Sequence, residues 1–296
     1  MFFYPIEQGL RAMTKLKMWN EYPSWTKAEE AWDEGAESAC SQHPIQNLKK
    51  LPNMVGITPD TAKNLKWKSL HWMLTQDHDR KVLKGVLRHP FKHAWAYLKS
   101  IFKKKSFKRD GDFFLYGVSD LKAFQTLLTQ ANTLLVVGFS YCHKPFECPS
   151  GRFTSECIHD PSHPVCRQCF IGKVMNALPE KNTVATAIPT VHYIGGKIFE
   201  MIELHPDKKI IFMITACEMT LQMFGDWGNM AGIEGIGIRL DGRICNTMKA
   251  FELSEKGIKP GLTVVLDETK KEILQWIAQR RQFEVPVEEK SEDKHF

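Results

Sequence analysis

The run Leu134-Leu135-Val136-Val137-Gly138-Phe139, which passes through Ser140-Tyr141 into Cys142, decides the fold. It is short, apolar and rich in β-branched residues, the pattern of a strand buried on both faces. The loop that follows carries Cys148, Cys157, Cys166 and Cys169 before the chain resumes at Phe170-Ile171-Gly172. A buried strand that empties into a cysteine-rich loop, residues 140–170, is what a metal site on an α/β scaffold should look like.

Working outward, similar segments follow at Val184–Ile188, Ile210–Ile214, Ile236–Leu240 and Thr263–Leu266. Helical segments separate them at Ile171–Leu178, Lys197–Leu204, Glu218–Phe224 and Met248–Lys256. Leu121–Leu128 precedes the first strand, and Asp267–Arg281 closes the series. The alternation predicts an α/β fold: an open, mostly parallel, Rossmann-like sheet with helices on both faces. Residues 121–283 form the expected metal-binding α/β domain. Residues 1–120 read as a mainly helical N-terminal extension, and the charged residues 284–296 as a flexible tail. Within the extension, Thr58-Pro59-Asp60 has the residues of a helix start. Leu70, Trp72, Met73 and Leu74 are expected to form a buried face behind it.

Open parallel sheets bind ligands beyond the carboxyl ends of their strands. Cys142 lies there directly, Cys217 follows Thr215-Ala216, and Cys245 follows the strand ending at Leu240. The second strand leads instead to His192 and then Gly195-Gly196. Cys217 and Cys245 are thus candidate catalytic thiols, with His192 and Glu218 as candidates for proton transfer. Gly195 and Gly196 could expose amides to a phosphate or carboxylate of a cofactor, or form a tight turn. Lys173 and Arg167 are candidates to bind an anionic substrate.

The candidate metal ligands Cys142, Cys148, Cys157, Cys166 and Cys169 are spaced C-x5-C-x8-C-x8-C-x2-C. Soft thiolates suit iron–sulfur clusters or zinc. The compact ferredoxin run is absent, and a zinc ribbon needs two C-x2-C knuckles where this chain has one. Five loop cysteines plus two at strand ends exceed one structural zinc site. The surplus favours a [4Fe-4S] cluster, with room for a second cluster or for free catalytic thiols. Zinc is the alternative, with His143, His159 or His163 completing a mixed site. Cys166-x-x-Cys169 also has the spacing of a dithiol redox pair. Cys40 stands alone and reads as a buried or inert thiol.

The 296-residue chain is 43 % hydrophobic and 25 % charged, the composition of a soluble globular protein. No window reaches the roughly 18 uninterrupted apolar residues of a membrane span. The N-terminus has no secretory signal pattern, so a cytoplasmic location is expected, where clustered cysteines favour metal or redox chemistry over disulfides. The net charge of +6 is unevenly placed, with Lys and Arg concentrated from Lys81 to Arg109. There Val86, Leu87, Phe91, Ala94, Trp95, Leu98, Ile101 and Phe102 recur at helical spacing, interrupted at Pro90. The expected arrangement buries the aromatic residues against the protein and leaves the lysines in water. The alternative is a basic helix that binds RNA or an acidic membrane surface.

Residues from about 132 to 266 resemble a family of cysteine-rich bacterial and archaeal α/β proteins catalogued as a domain of unknown function. The matching pieces are the strand into Cys142, Cys148-Pro149, Cys166-x-x-Cys169 with Ile171-Gly172, Gly195-Gly196, Ala216-Cys217-Glu218 and Cys245-Asn246-Thr247. The resemblance implies a shared metal-binding or redox α/β domain and no established reaction.

Two functions are expected from these residues. One is an iron–sulfur enzyme with redox or Lewis-acid chemistry, of the lyase or desulfurising kind, acting on a small anionic substrate or a redox partner. The other is a non-catalytic zinc protein whose basic helix binds a protein, RNA or a membrane surface.

Overall fold

The computed structural model describes residues 22–48, 56–102 and 106–284. The sheet strands are β1 (Lys108–Asp110), β2 (Phe113–Tyr116), β3 (Thr133–Ser140), β4 (Thr183–Ile188), β5 (Lys209–Ala216) and β6 (Glu234–Arg239). They form one open sheet in the order β1-β2-β6-β5-β3-β4. β4, β3, β5 and β6 are parallel, and the β1–β2 hairpin adds antiparallel to β6. The sheet is therefore mixed and mostly parallel. It begins at residue 108, inside the region read as mainly helical. The exposed β1 is only Lys-Arg-Asp, short and charged as suits an open edge.

Strand alternation supplies two cores. On one face Leu135, Val137, Phe139, Ile211 and Met213 pack with α6 (Leu121–Leu128), α8 (Phe170–Ala177) and α12 (Asp267–Glu284). Trp32 of α1 (Trp25–Gln42) joins this core. On the other face Leu134, Val136, Ile210, Phe212 and Ile214 meet α9 (Val191–Leu204) and α10 (Glu218–Ala231). Helices thus cover both faces. At the amino edge Arg280 is fully buried and donates to the carbonyls of Leu128, Thr133 and Asn182, fixing α12 across the strand starts.

Thr263–Val264 (β8) departs from its expected place. It pairs antiparallel with β7 (Asp241–Gly242) in a separate two-stranded ribbon, so it adds no strand to the sheet. Thr58 does cap a helix, accepting from the Thr61 amide, although that helix, α2 (Pro59–Ala62), is one turn long. In α3 (Leu65–Thr75), Trp72 and Met73 are buried, whereas Leu74 points outward.

The basic segment forms α4 (Lys81–Arg88) and α5 (Pro90–Ile101), which pack on α9 and α10. The expectation that its aromatic stripe faces inward is overturned. The buried residues of α5 are His93, Tyr97 and Ser100, held by the Tyr97–Trp227 ring contact and the Ser100–Asp226 hydrogen bond. Phe91, Trp95 and Phe102 are 90 %, 73 % and 82 % exposed. Among the described residues no helix is long and apolar enough to cross a membrane. The tail expected beyond Glu284 lies outside the described residues.

Candidate functional site

The chain leaves β3 for β4 on one side and then reaches β5 on the other, so the sheet's switch point lies between β3 and β5. Cys142 follows β3 in a short turn where its own amide donates to Ser140 Oγ, and Cys217 follows β5 as the residue preceding α10. Between them opens a cavity of about 80 Å³. One water needs roughly 10–15 Å³ by this measure, so the cavity takes a ligand of a few heavy atoms. Its walls are Ile188, Ile194, Ile214, Leu221, Met223 and Phe224; at its polar end stand Cys142, Cys217, Cys245 and Glu255.

Cys217 and Cys245 share a hydrogen bond between their sulfurs. Lys259 reaches Cys245 Sγ at 3.1 Å, and Thr220 Oγ1 lies 3.2 Å from Cys217 Sγ. The pair carries one negative charge more easily than two. The Cys217 bond and then the Lys259 ammonium draw the Cys245 thiol down, while the same bond and burial push Cys217 up. Of the two sulfurs, Cys245 is the one whose ionised form the surroundings favour. Glu255 lines the cavity through α11 (Met248–Ser254), whose end it caps, and accepts from the Val191 amide at 2.9 Å. Burial, with the Cys245 charge adding to it, raises its carboxyl to about 8 against the opposing pull of that amide. An acid of that strength keeps its proton at neutral pH beside a thiolate, a pairing suited to proton donation.

The other four loop cysteines form a second set. Cys148, Cys157, Cys166 and Cys169 lie within one another's electrostatic reach. Each sulfur accepts a backbone amide: Ser150 to Cys148, His159 to Cys157, Asp160 to Cys166, and Gly172 with Ile171 to Cys169. His159 adopts φ +36°, a left-handed conformation unusual outside glycine. Gly172 must be glycine, because a Cβ there would stand 2.3 Å from the Cys166 carbonyl. Lys144, 1 % exposed, lies in the middle of the loop. Its ammonium donates to the carbonyls of Gly151, Thr154 and Glu156 and to the Thr154 hydroxyl, at 2.6–3.1 Å. Burial lowers its pKa, while Cys148, Cys157 and Cys169 push it back up. Burial also raises all four thiols, Cys166 and Cys169 to about 12. Amides are aimed at sulfur, and the Lys144 ammonium, bonded to oxygens, acts on the thiols through its charge alone; ionising four neighbouring thiols needs further positive charge. Among the described residues no three His, Cys, Asp or Glu side chains draw together as around a single metal ion.

Arg152 joins the two sets. It donates to the carbonyls of Lys144 and Cys142 on one side and of Lys259 and Gly261 on the other. The five-cysteine loop therefore divides, with Cys142 on the cavity side. None of the eight cysteines is disulfide-bonded, and Cys40, far from being buried, is exposed on α1.

Of the remaining candidates, Gly195 lines the cavity and the others lie elsewhere. His192 is in the first turn of α9, its ring against the Met73 carbonyl and its pKa lowered by burial. Gly195 and Gly196 are within α9, where added Cβ atoms would crowd Val82 and Lys81 at 2.9 and 3.0 Å; they let α4 approach. Glu218 turns away from the thiols and pairs with Arg109 at 3.1 Å. Lys173 pairs with Asp33 and Glu29, and Arg167 stacks on Trp32, so both hold α1 onto the cysteine loop. His163 caps α7 (Pro164–Gln168), and His143 is kept neutral by burial, packed on Phe170. Glu255, Lys259 and Lys144 carry no motif; the charge of Lys144, within a turn of Cys142, was their only sequence signal.

The fold and site define a mixed α/β protein with a thiol pocket at its switch point and a four-cysteine loop beside it. No protein family, curated protein or solved structure matches the chain.

Proposed function

We propose that the chain is an iron–sulfur-cluster-binding enzyme of a reducing, cytoplasmic environment. In this reading Cys148, Cys157, Cys166 and Cys169 hold the cluster, and Cys217 and Cys245 act on a small substrate as a redox dithiol. The observation that carries it is the sorting of seven cysteines into two sets of different character. One is wrapped in amide donors near a buried ammonium, and the other sets two sulfurs at a cavity, one of them against the Lys259 ammonium. The donor set fits the group: all sulfur, electropositive surroundings, and thiols whose ionisation is costly until a cation takes their charge. Zinc draws its thiolates to about 2.3 Å from one point. Among the described residues no three such side chains converge on one point, so the preference for a cluster rests on the surplus of cysteines over a single zinc site. The resemblance to the cysteine-rich α/β family belongs to the same proposal, since most of these cysteines carry both.

A cluster bound in the loop supplies one-electron transfer. The other steps belong to the pocket. Cys245 thiolate attacks an electrophilic sulfur of the substrate, forming a mixed disulfide as the substrate's own bond breaks. Glu255 gives its proton to the departing atom. Cys217 then attacks Cys245 Sγ, releasing the bound fragment with the Cys217 proton and leaving a Cys217–Cys245 disulfide. The substrate has gained two electrons and two protons, and an external dithiol returns the same number to the Cys217–Cys245 disulfide by exchange, leaving as a disulfide itself.

Mild oxidation of the anaerobically purified protein tests the dithiol. Peptide mapping without reductant should find Cys217 joined to Cys245 before any other pair, reversibly, and Lys259→Met should shift the pH midpoint of that step upward, because the Cys245 sulfur loses the ammonium beside it. Oxidation that begins among the loop cysteines, or that leaves Cys217 and Cys245 as thiols, contradicts the reading.

A further inference from the structure

From Lys81 to Arg109 the sequence contains ten Lys and Arg and no Asp or Glu. On α5, Phe91, Trp95 and Leu98 follow at i, i+4 and i+7, and Phe102, just past the helix end, continues the series at i+11. That spacing places them on one face over about 16 Å. All four are exposed, and Leu87 at the end of α4 is 60 % exposed. Lys84, Lys92 and Lys99 are exposed on the same two helices. The opposite face of α5 is fixed by Ser100 to Asp226 and Asn229 and by Tyr97 against Trp227, so the apolar face is presented by a helix anchored on α10.

Beside the α4–α5 junction lies a cavity of about 520 Å³ lined by Arg88, His89, Lys92, His205, Lys208 and Lys209. Two of its cations are partly offset, Arg88 by Glu203 and Lys209 by Glu234. The remainder leaves a basic basin next to Leu87 and Phe91. We infer that α4 and α5 form a peripheral docking surface for an anionic phospholipid bilayer, with the Phe91-Trp95-Leu98-Phe102 face entering the headgroup–acyl boundary and the basin receiving a phosphate headgroup. Phe, Trp and Leu in a row between lysines match an interfacial helix. Single-stranded nucleic acid would stack on the aromatic rings but would leave Leu87 and Leu98 in water. The inference does not depend on the thiol chemistry.

The test is co-sedimentation of the full chain with phosphatidylcholine vesicles, with and without phosphatidylserine. Phosphatidylserine vesicles should bind the protein at least tenfold more tightly than phosphatidylcholine alone, and added salt should weaken binding. Phe91→Glu/Trp95→Glu and, separately, Lys92→Glu/Lys99→Glu should each reduce binding about tenfold or more. All four positions are exposed, and an unchanged circular dichroism spectrum checks that each variant is folded. Absence of binding to phosphatidylserine vesicles overturns the inference, as does binding that the Phe91/Trp95 variant leaves intact. So does complete competition by inorganic phosphate, which would make the basin a site for a soluble anion. A dimer that the Phe91/Trp95 variant dissociates, without any vesicle binding by the wild type, would assign the face to a second copy of the chain.

Discussion

Lys144→Met should destabilise the protein by about 4 kcal/mol and open the cysteine loop. The ammonium is buried and bonded to four oxygens of residues 151–156. Methionine keeps the volume and removes the charge, leaving three carbonyls without that donor. Breaking a buried charged hydrogen-bond set costs roughly 3–5 kcal/mol, because the partners left behind stay desolvated. Three neighbouring thiols also lose the cation that favours their ionised form. Urea unfolding should show the loss, and limited proteolysis should cut the variant within residues 144–160 while sparing the wild type. Wild-type stability and an uncut loop would show that Lys144 is not what orders it.

Glu255→Gln should produce a gain in stability that grows by about 3 kcal/mol between pH 5 and pH 8. The folded state holds the Glu255 proton up to about pH 8, against an ordinary carboxyl value of 4.5. Between those values the unfolded chain has released a proton that the folded chain retains. Wild-type stability therefore falls as pH rises, by at most about 1.4 kcal/mol per pH unit from this group. Glutamine is neutral throughout and still offers an oxygen to the Val191 amide, so it is spared that loss. Denaturant unfolding of both proteins at several pH values measures the difference, which cancels the titration of His143 and other shared groups. Parallel stability curves would mean that Glu255 titrates as an ordinary carboxyl.

The strands of the parallel sheet were legible because Leu134–Phe139, Ile210–Ile214 and Ile236–Leu240 are short, apolar and β-branched, and the strand-end rule placed Cys142, Cys217 and Cys245 at one edge. The β1–β2 hairpin was not, since Lys108-Arg109-Asp110 reads as loop and Phe113–Tyr116 is only four residues long. Spacing along a loop also does not say which way each thiol turns: it puts Cys142 among the loop ligands, whereas the fold sets it at the cavity with Cys245. Glu255 and Lys259 reach the pocket only because the chain after α11 folds back over the sheet edge. The aromatic stripe of α5 has the period of a buried face. What reverses it is the set of partners on α10, Asp226, Trp227 and Asn229, which select Ser100 and Tyr97 as the inner face.

The central claim is that the loop thiols hold a cluster and the pocket thiols remain free. Iron, zinc and acid-labile sulfide analysis after anaerobic purification tests it most directly, applied to the wild type, Cys166→Ser and Cys217→Ser/Cys245→Ser. The account predicts iron and sulfide in the wild type, their loss in Cys166→Ser, and their retention in the pocket double variant. Zinc without sulfide in the wild type, or loss of iron from the pocket variant, would contradict it.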